Sequence, residues 1–230
     1  MGQWALLWVL ALATAGYLVF WPSGAIQTAG PADSGRPVLV LDAGHGGEDG
    51  GAVSITGVPE SQINLAIVRK LDLLLGLCGQ APVVLRQEDV SLHDPSADTL
   101  REKKASDLKN RVALVNELDG AVLLSIHQNS LPSSPVTHGA QVFWNGGEGA
   151  EAWGAMVQDA LNQTVNAGNE KQGRRIADSI YLMKHVQSPA VLVECGFLSN
   201  GEETVLLQKP DYQLTLAAAI AAGCMAWNGE

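Results

Sequence analysis

The stretch "VLDAGHGGEDGGA" at positions 40–52 constrains the fold of this chain more than any other. The apolar residues 38–41 predict a buried strand, and the ten residues from Asp42 to Gly51 then include one histidine, three acids and five glycines. Glycine tolerates positive φ and lets the backbone approach a bound group closely. We therefore expect a loop at the strand end that holds His45 in a fixed direction beside an ion or a substrate. The stretch lacks the glycine and lysine spacing of a phosphate-binding loop.

Strand-like and helix-like segments alternate along the rest of the chain. This alternation predicts an α/β fold with a mainly parallel or mixed twisted sheet of about six strands and helices on both faces. The predicted strands are residues 37–42, 82–86, 121–127, 140–144, 180–184 and 190–194. The predicted helices are residues 60–77, 100–118, 150–165 and 212–227.

Four side chains able to bind or assist a metal ion follow the ends of these elements. His45 follows the first strand, His127 and Glu194 end two later strands, and Glu60 begins the first helix after Pro59. Functional groups of such sheets gather beyond the carboxyl ends of the strands, so we expect all four to converge. Two imidazoles and one carboxylate form a familiar open set of ligands for one Zn²⁺. A further carboxylate held off the ion can accept a proton from water.

Two acids lie close enough to His45 to act on it. Asp42 or Asp49 can hold the loop or orient the His45 ring, and either can instead cap a turn, as Asp beside Gly commonly does. The sequence leaves these alternatives open. His93 and His138 are predicted in loops, and His185, beyond the 180–184 strand, is a weaker candidate for substrate contact.

The three cysteines predict no disulfide framework, because the count is odd. Cys78 and Cys224 lie in apolar helical stretches and are expected to be small buried side chains. Cys195 directly follows Glu194, which raises the alternative of a cysteine hydrolase. Strand alternation directs Cys195 away from the face of Glu194, and the sequence offers it no evident histidine partner.

The N-terminal part is predicted to be separate from the folded domain. Residues 4–21 carry no charge, and their eighteen residues would span about 27 Å as a helix. We interpret residues 1–21 as a membrane anchor, with a cleaved signal peptide as the alternative. Residues 22–36 are rich in Pro, Gly, Ser and Ala and predict a flexible linker. Residues 37–230 form the predicted catalytic domain.

Four motifs, in order, resemble those of the zinc-dependent N-acetylmuramoyl-L-alanine amidases of the type-3 amidase family. They are "VLDAGHGGEDGGA", Pro59-Glu60, "LLSIHQNS" and "PAVLVECGFLSN", and the resemblance covers roughly residues 37–227. It implies a peptidoglycan hydrolase that cleaves the amide between the lactyl group of N-acetylmuramic acid and the L-alanine of the stem peptide. It also implies a mixed α/β sheet flanked by helices.

The resemblance further implies a role for individual residues. His45, Glu60 and His127 would be the zinc ligands, and Glu194 would be the catalytic carboxylate. Arg111 and Asn116 match a supporting Arg-x-x-x-x-Asn helix. The remaining candidates for substrate contact or support of the site are Asn129, Asp42, Asp49 and Arg86; Arg86 keeps its family spacing to Asp89, but Leu85 replaces a threonine that is usual before it.

The expected partners follow from charge and architecture. A formal net charge of −10 argues against nucleic acid as a partner. We expect peptidoglycan muropeptides as substrate, an extracytoplasmic location, either membrane-anchored or secreted, and a link to the membrane through the N-terminal segment. The resemblance implies that relatives with built-in inhibition carry a helix inserted near the site. The segment 130–141 is too short for such a helix, so we expect a separate regulatory or targeting protein. Compact anchored relatives include spore-cortex amidases, which predicts a role in germination.

Two alternatives to the amidase reaction stay open at this point. A zinc peptidase that cuts cell-wall peptides would carry the same ligand set. A non-catalytic wall-binding module is disfavoured by the presence of both the ligand set and Glu194.

Overall fold

The computed structural model describes residues 37–227 and residue 229. The predicted anchor and linker, residues 1–36, lie outside this part of the chain, and both remain predictions. None of the helices that the structure describes combines the length and apolar character needed to cross a membrane.

A six-stranded mixed sheet forms the centre of the domain, which confirms the predicted fold class. Its strands are β1 (Val38–Ala43), β2 (Val83–Val84), β3 (Ala121–Asn129), β4 (Gln141–Trp144), β5 (Arg174–Arg175) and β6 (Ala190–Phe197). The spatial order is β2-β1-β3-β6-β4-β5. β2, β1, β3 and β6 are parallel, whereas β4 runs antiparallel to β6 and parallel to β5.

Six helices pack around this sheet within the described residues. They are α1 (Glu60–Leu77), α2 (Leu100–Asn116), α3 (Ala150–Asn162), α4 (Tyr181–His185), α5 (Gly201–Leu207) and α6 (Pro210–Ala226). α1, α3 and α6 bury one face of the sheet in the larger core, while α2 and α4 cover part of the other face. The central strands β1, β3 and β6 are buried over most of their length, as near-continuous apolar sequences predict, and His127 and Glu194 are half-buried where the site lies.

One predicted strand is wrong. Residues 180–184 were predicted as β structure, but Tyr181–His185 form the helix α4. Leu182 and Met183 are buried there, and the Tyr181 ring stacks on His185 at the i,i+4 spacing of a helix. A short apolar run does not distinguish a strand from a buried helical turn, which explains the error.

The sixth strand is instead β5, which the sequence pattern did not reveal. It consists of two exposed arginines at the sheet edge, so it carries no apolar signal. The helix α5 was also missed, although Asn200 caps it by accepting hydrogen bonds from the amides of Glu202 and Glu203.

All three cysteines are free. The prediction of a buried Cys78 is wrong, because this residue is exposed at the C-terminal cap of α1. Cys224 is half-buried, and Cys195 is fully buried in the larger core.

Candidate active site

The sheet register brings the predicted site residues to one edge. Asp42 and Ala43 pair with Ser125 and Ile126, and the amide of Gly44 donates to the Ile126 carbonyl over 3.0 Å. On the other side of β3, His127 pairs directly with Glu194 of β6. Three adjacent parallel strands therefore deliver His45, His127 and Glu194 to the same end of the sheet.

His45, Glu60 and His127 form a compact cluster, hereafter the triad. One potential ligand atom from each residue lies within 4.8 Å of the other two. Glu60 bridges the imidazoles: its Oε1 lies 2.9 Å from His127 Nδ1, and its Oε2 lies 3.4 Å from His45 Nε2. The two rings meet edge to face with centroids 5.1 Å apart. The structure thus places the three predicted ligands together.

Glu60 is buried at the start of α1 and is held by several donors. The amide of Ala52 donates to Oε2 over 2.9 Å, and the amide of Gln128 donates to Oε1 over 3.0 Å. The Asn64 side chain, one turn along the helix, donates to Oε1 over 3.2 Å. These bonds fix the direction of the carboxylate, and the helix N-terminus favours its negative charge.

The glycine-rich loop holds His45 in an unusual backbone conformation. His45 has a φ of 63°, in the left-handed region that non-glycine residues rarely adopt. Two glycines leave room for the triad: a Cβ at Gly44 would lie 2.2 Å from the His127 ring, and a Cβ at Gly51 would lie 2.6 Å from Glu60 Oε2. The predicted close approach of the backbone is thus present on both sides of the triad.

The structure separates the roles of the two acids near His45. Asp49 Oδ2 lies 3.0 Å from His45 Nδ1 and orients the ring. Asp42 is instead fully buried in an ion pair with Arg111 and accepts a hydrogen bond from Ser125. Asp42 therefore supports the strand end and does not touch the imidazole.

Two buried arginines fasten the loop to the body of the domain. Arg111 donates to the carbonyls of Ala43 and His45 over 2.9 and 2.7 Å and pairs with Asp107 on its own helix. Arg86 donates to the carbonyls of Ala43, Gly44 and Ser61 over 2.8, 3.1 and 2.9 Å. Arg86 is buried and holds the backbone on both sides of the triad; its role toward substrate stays a prediction.

The triad favours positive charge between its side chains. Burial lowers the pKa of His45, but the hydrogen bonds and charges of Asp49 and Glu60 outweigh it and raise the pKa to about 9. Burial opposes ionisation of Glu60, yet its hydrogen bonds to the two histidines hold its pKa well below the usual range. The two carboxylates of Asp49 and Glu60 therefore carry negative charge beside the two imidazoles, and this negative charge favours binding of a cation.

Glu194 lies beside the triad without bonding to it. Its Oε2 is shielded from solvent and has no hydrogen-bond partner among the described residues. Burial, together with the negative charge of Glu60, raises the pKa of Glu194 to about 7, although His127 and His45 act in the opposite direction. A buried carboxylate oxygen without a partner is costly, so Glu194 is the candidate for proton transfer beside the triad.

The triad fits a single metal ion. Two ligand atoms bound tetrahedrally to one ion at about 2.1 Å lie about 3.4 Å apart. The separation of 3.4 Å between His45 Nε2 and Glu60 Oε2 matches this spacing. The separation of 2.9 Å between His127 Nδ1 and the other oxygen, Oε1, is a hydrogen-bond distance, and one ligand atom from each of the three residues lies within 4.8 Å of the others. The chemistry of the donor set and the free Glu194 oxygen beside it are both consistent with an ion held by these three residues.

Other predicted residues lie away from the triad. The Asn129 side-chain oxygen accepts from the Ser130 amide and makes no hydrogen bond to the triad among the described residues. Asn116 supports the segment before β6, donating to the His185 carbonyl and accepting from the Gln187 amide. His185 belongs to α4 and bonds to the Tyr181 carbonyl, so its prediction as a residue beyond a strand is wrong.

The two remaining histidines and Cys195 also have local roles. His93 and His138 bond within their own loops, to Ser91 and to the Val136 carbonyl. Burial raises the pKa of the Cys195 thiol, and the side chain is enclosed in the core. A buried thiol with a raised pKa is a poor nucleophile, which argues against a cysteine hydrolase.

Sequence reasoning missed two buried polar residues that hold the triad. Asn64 donates to both Glu60 and the Gly44 carbonyl, and its own oxygen accepts from Gln128. The available signal was a polar residue four positions after Glu60 in an otherwise apolar helix, which places both side chains on one face.

The family comparison agrees with this geometry. Residues 39–226 match the model of the Amidase_3 family, described as N-acetylmuramoyl-L-alanine amidase. This chain belongs to that family. The family is described by its reaction, hydrolysis of the N-acetylmuramoyl-L-alanine amide of peptidoglycan. The chain is therefore an N-acetylmuramoyl-L-alanine amidase that acts on peptidoglycan.

Individual relatives of this amidase support the assignment. It is 35% identical over 194 residues to the germination-specific N-acetylmuramoyl-L-alanine amidase of Bacillus subtilis, covering 84% of this chain and 80% of that protein. Its fold is similar to that of the CwlD amidase of Clostridioides difficile, which was solved in complex with the GerS lipoprotein. The TM-score is 0.79 at 34% sequence identity, and the match covers 83% of this chain and 98% of the CwlD chain. A second amidase, from Clostridium difficile 630, gives a TM-score of 0.72 at 27% identity, covering 84% and 97% of the two chains.

Proposed function

We propose that the amidase binds one Zn²⁺ through His45, Glu60 and His127 and uses Glu194 as the catalytic carboxylate. The bond cleaved is the amide between the lactyl group of N-acetylmuramic acid and L-alanine. When bound, Zn²⁺ supplies Lewis acidity, which polarises a carbonyl and lowers the pKa of a water molecule toward neutrality. The ligand set of two imidazoles and one carboxylate is one that Zn²⁺ commonly takes in hydrolases.

The side chains around the metal site have separate roles in the reaction. Glu60, fixed by Ala52, Gln128 and Asn64, keeps the two imidazoles in place. Asp49 holds the tautomer and direction of His45 through Nδ1. Glu194 accepts the proton of the attacking water at its carboxylate and then donates it to the departing alanine nitrogen.

The observation that carries the proposal is the environment of Glu194. Its Oε2 is shielded and without a partner among the described residues, next to His127 in the sheet register. Four other buried side-chain atoms in the described residues also lack a partner, among them Gln128 Oε1 and Thr204 Oγ1, but these groups are uncharged, and leaving an ionisable carboxylate without a donor costs more. A carboxylate that exchanges protons with substrate and water must keep such an oxygen available.

Two variants separate binding of the metal from turnover. His127→Ala should lose stoichiometric zinc, whereas Glu194→Gln should keep zinc and lose about 10²–10⁴ in rate, because the amide cannot accept a proton. Metal analysis of the purified chains and release of peptide from muropeptides measure the two effects. His138→Ala, a loop histidine, is the matched control. Zinc retained by His127→Ala, or lost by Glu194→Gln, would contradict the assigned roles.

We further propose where the enzyme works. The uncharged residues 4–21 would tether it at the outer side of the cytoplasmic membrane, and the similarity to a germination-specific amidase supports a spore-cortex substrate. The related CwlD amidase forms a complex with a lipoprotein, which supports a regulatory protein partner for this chain as well.

A further inference from the structure

A groove extends from Glu194 along the sheet toward its β5 edge. It encloses about 550 Å³ and lies over β6, β4 and the edge strand β5. Its lining is largely apolar between Glu194 at one end and the two arginines of β5, Arg174 and Arg175, at the other; Phe143 and Leu192 lie between them.

The sheet register places Glu194 and Arg174 on the same face of the sheet. Leu192 lies two residues before Glu194, Phe143 pairs with Leu192, and Arg174 pairs with Phe143. Side chains directly opposite each other, or two apart along one strand, emerge on the same face. Glu194 and Arg174 therefore stand at two ends of one groove whose floor is formed by Leu192 and Phe143.

Arg174 carries a charge without a protein counterion. Its guanidinium lies over the Phe143 ring, 5.3 Å from the centroid, and it forms no hydrogen bond or ion pair among residues 37–227 and 229. Arg101 and Arg175 likewise form no ion pair among the described residues, but Arg174 differs from both because an aromatic ring holds its guanidinium. Guanidinium groups bind carboxylates through two parallel hydrogen bonds.

The dimensions of the groove select which substrate group can reach Arg174. Phe143 lies one strand across from Leu192, which is two residues before Glu194, so the backbones of Phe143 and Glu194 are about 8 Å apart. The Arg174 guanidinium lies above the Phe143 ring, at this distance along the groove. An extended peptide advances about 3.3 Å per residue, so the second stem residue lies about 7 Å from the scissile amide, and a carboxylate on its Cα spans the remaining distance to the guanidinium. In peptidoglycan this residue is a γ-linked glutamate, whose α-carboxylate is free unless the cell amidates it.

We propose that Arg174 is a specificity-determining residue that binds the α-carboxylate of the second stem residue. The inference rests on the proposed function, because it takes Glu194 to mark the position of the scissile amide. The apolar floor accommodates the backbone and the alanine methyl group, while Arg174 distinguishes an acidic stem from an amidated one.

Two muramoyl dipeptides test this proposal because they differ in one group. Both carry a γ-methylamide in place of the γ-peptide bond of the stem. Muramoyl-L-alanyl-D-glutamate γ-methylamide keeps the α-carboxylate, and muramoyl-L-alanyl-D-isoglutamine γ-methylamide carries an amide in its place. The wild-type enzyme should show a lower KM for the acid, and Arg174→Ala should raise that KM by about tenfold or more while leaving the amide substrate unchanged. Arg174→Lys should restore part of the preference.

The matched control is the neighbouring Arg175. It has the same charge, is also exposed and also lines the groove. Strand alternation directs its side chain to the opposite face from Arg174, and its Nη2 lies against Gly146, 3.0 Å from the position of a Cβ there. Arg175→Ala should keep the preference for the acid. Equal effects of Arg174→Ala on both dipeptides, no preference in the wild type, or the same loss in Arg175→Ala would overturn the proposal.

Binding measurements keep this test separate from the proposed function. Calorimetric titration of the Glu194→Gln chain with each dipeptide requires no turnover. An acid that binds more tightly than the amide, with the difference lost on adding Arg174→Ala, supports the role of Arg174 even if Glu194 is not the proton acceptor. Equal affinities of the two dipeptides would overturn the role of Arg174 whatever the activity of the wild type.

Discussion

His127 Nδ1 lies 2.9 Å from Glu60 Oε1, although the two residues are 67 positions apart in the chain. β3 supplies the histidine and the first turn of α1 supplies the carboxylate. The same carboxylate oxygen accepts the amide of Gln128, the residue after His127. The strand end and the helix start are thus joined directly at the site, so the geometry of the triad depends on the packing of the fold.

Asn64 should be needed for tight metal binding although it is not a ligand. It links Glu60, the Gly44 carbonyl and Gln128, and Asn64→Ala would release the Glu60 carboxylate and the His45 loop together. We expect zinc affinity to fall by about 10–100-fold, as is common for residues that orient ligands. Competition with a chromophoric chelator measures the affinity. An unchanged affinity in a folded Asn64→Ala chain would show that the ligands are positioned without it.

Asp42 should stabilise the domain in a way that depends on pH. Burial opposes its ionisation, but Arg111, His127 and Ser125 hold the pKa of Asp42 below its usual value of 3.8. Because the folded pKa is lower than the unfolded one, this contribution is complete above about pH 4 and is lost as the pH falls through the folded pKa. Asp42→Asn should cost about 3–5 kcal/mol of unfolding free energy at pH 7, since it leaves Arg111 underpaired.

Urea denaturation at pH 7 and at pH 3 measures this effect. The difference between wild type and Asp42→Asn should shrink at the lower pH. Asp119→Asn, at an exposed turn position, is the control and should change stability little. A difference that grows as the pH falls would contradict the sign of the linkage.

Removal of residues 1–36 should separate location from catalysis. We expect the truncated chain to cleave soluble muropeptides at the wild-type rate and to lose its association with membranes. The linker of fifteen residues averages about 20 Å as a flexible coil, which would keep the site near the membrane. Fractionation and accessibility to external protease test this. A full-length protein that is wholly soluble and begins after Ala15 or later would identify the segment as a cleaved signal.

The sequence predicted the site better than its surroundings. α1 was predicted over residues 60–77, because its apolar face repeats through several turns. His45, His127 and Glu194 could be predicted to converge because parallel strands end at one edge of a sheet. The error at 180–184 arose where the apolar run was too short to carry a period.

Other features depended on tertiary contacts that no local pattern encodes. Which of Asp42 and Asp49 orients His45 is decided by the position of Arg111, a residue from α2. The cationic end of the groove lies on β5, where two exposed arginines have no strand-like pattern. Both required the register of the sheet to be known.

Mass analysis of the products from intact muropeptides tests the central claim most directly. The zinc-loaded full-length chain should release stem peptides that begin with a free L-alanine amine and leave muramic acid with a free lactyl carboxylate. Glu194→Gln should yield neither product at a comparable rate. Products in which L-alanine stays attached to muramic acid and the peptide is cut further along would identify a peptidase and contradict the account.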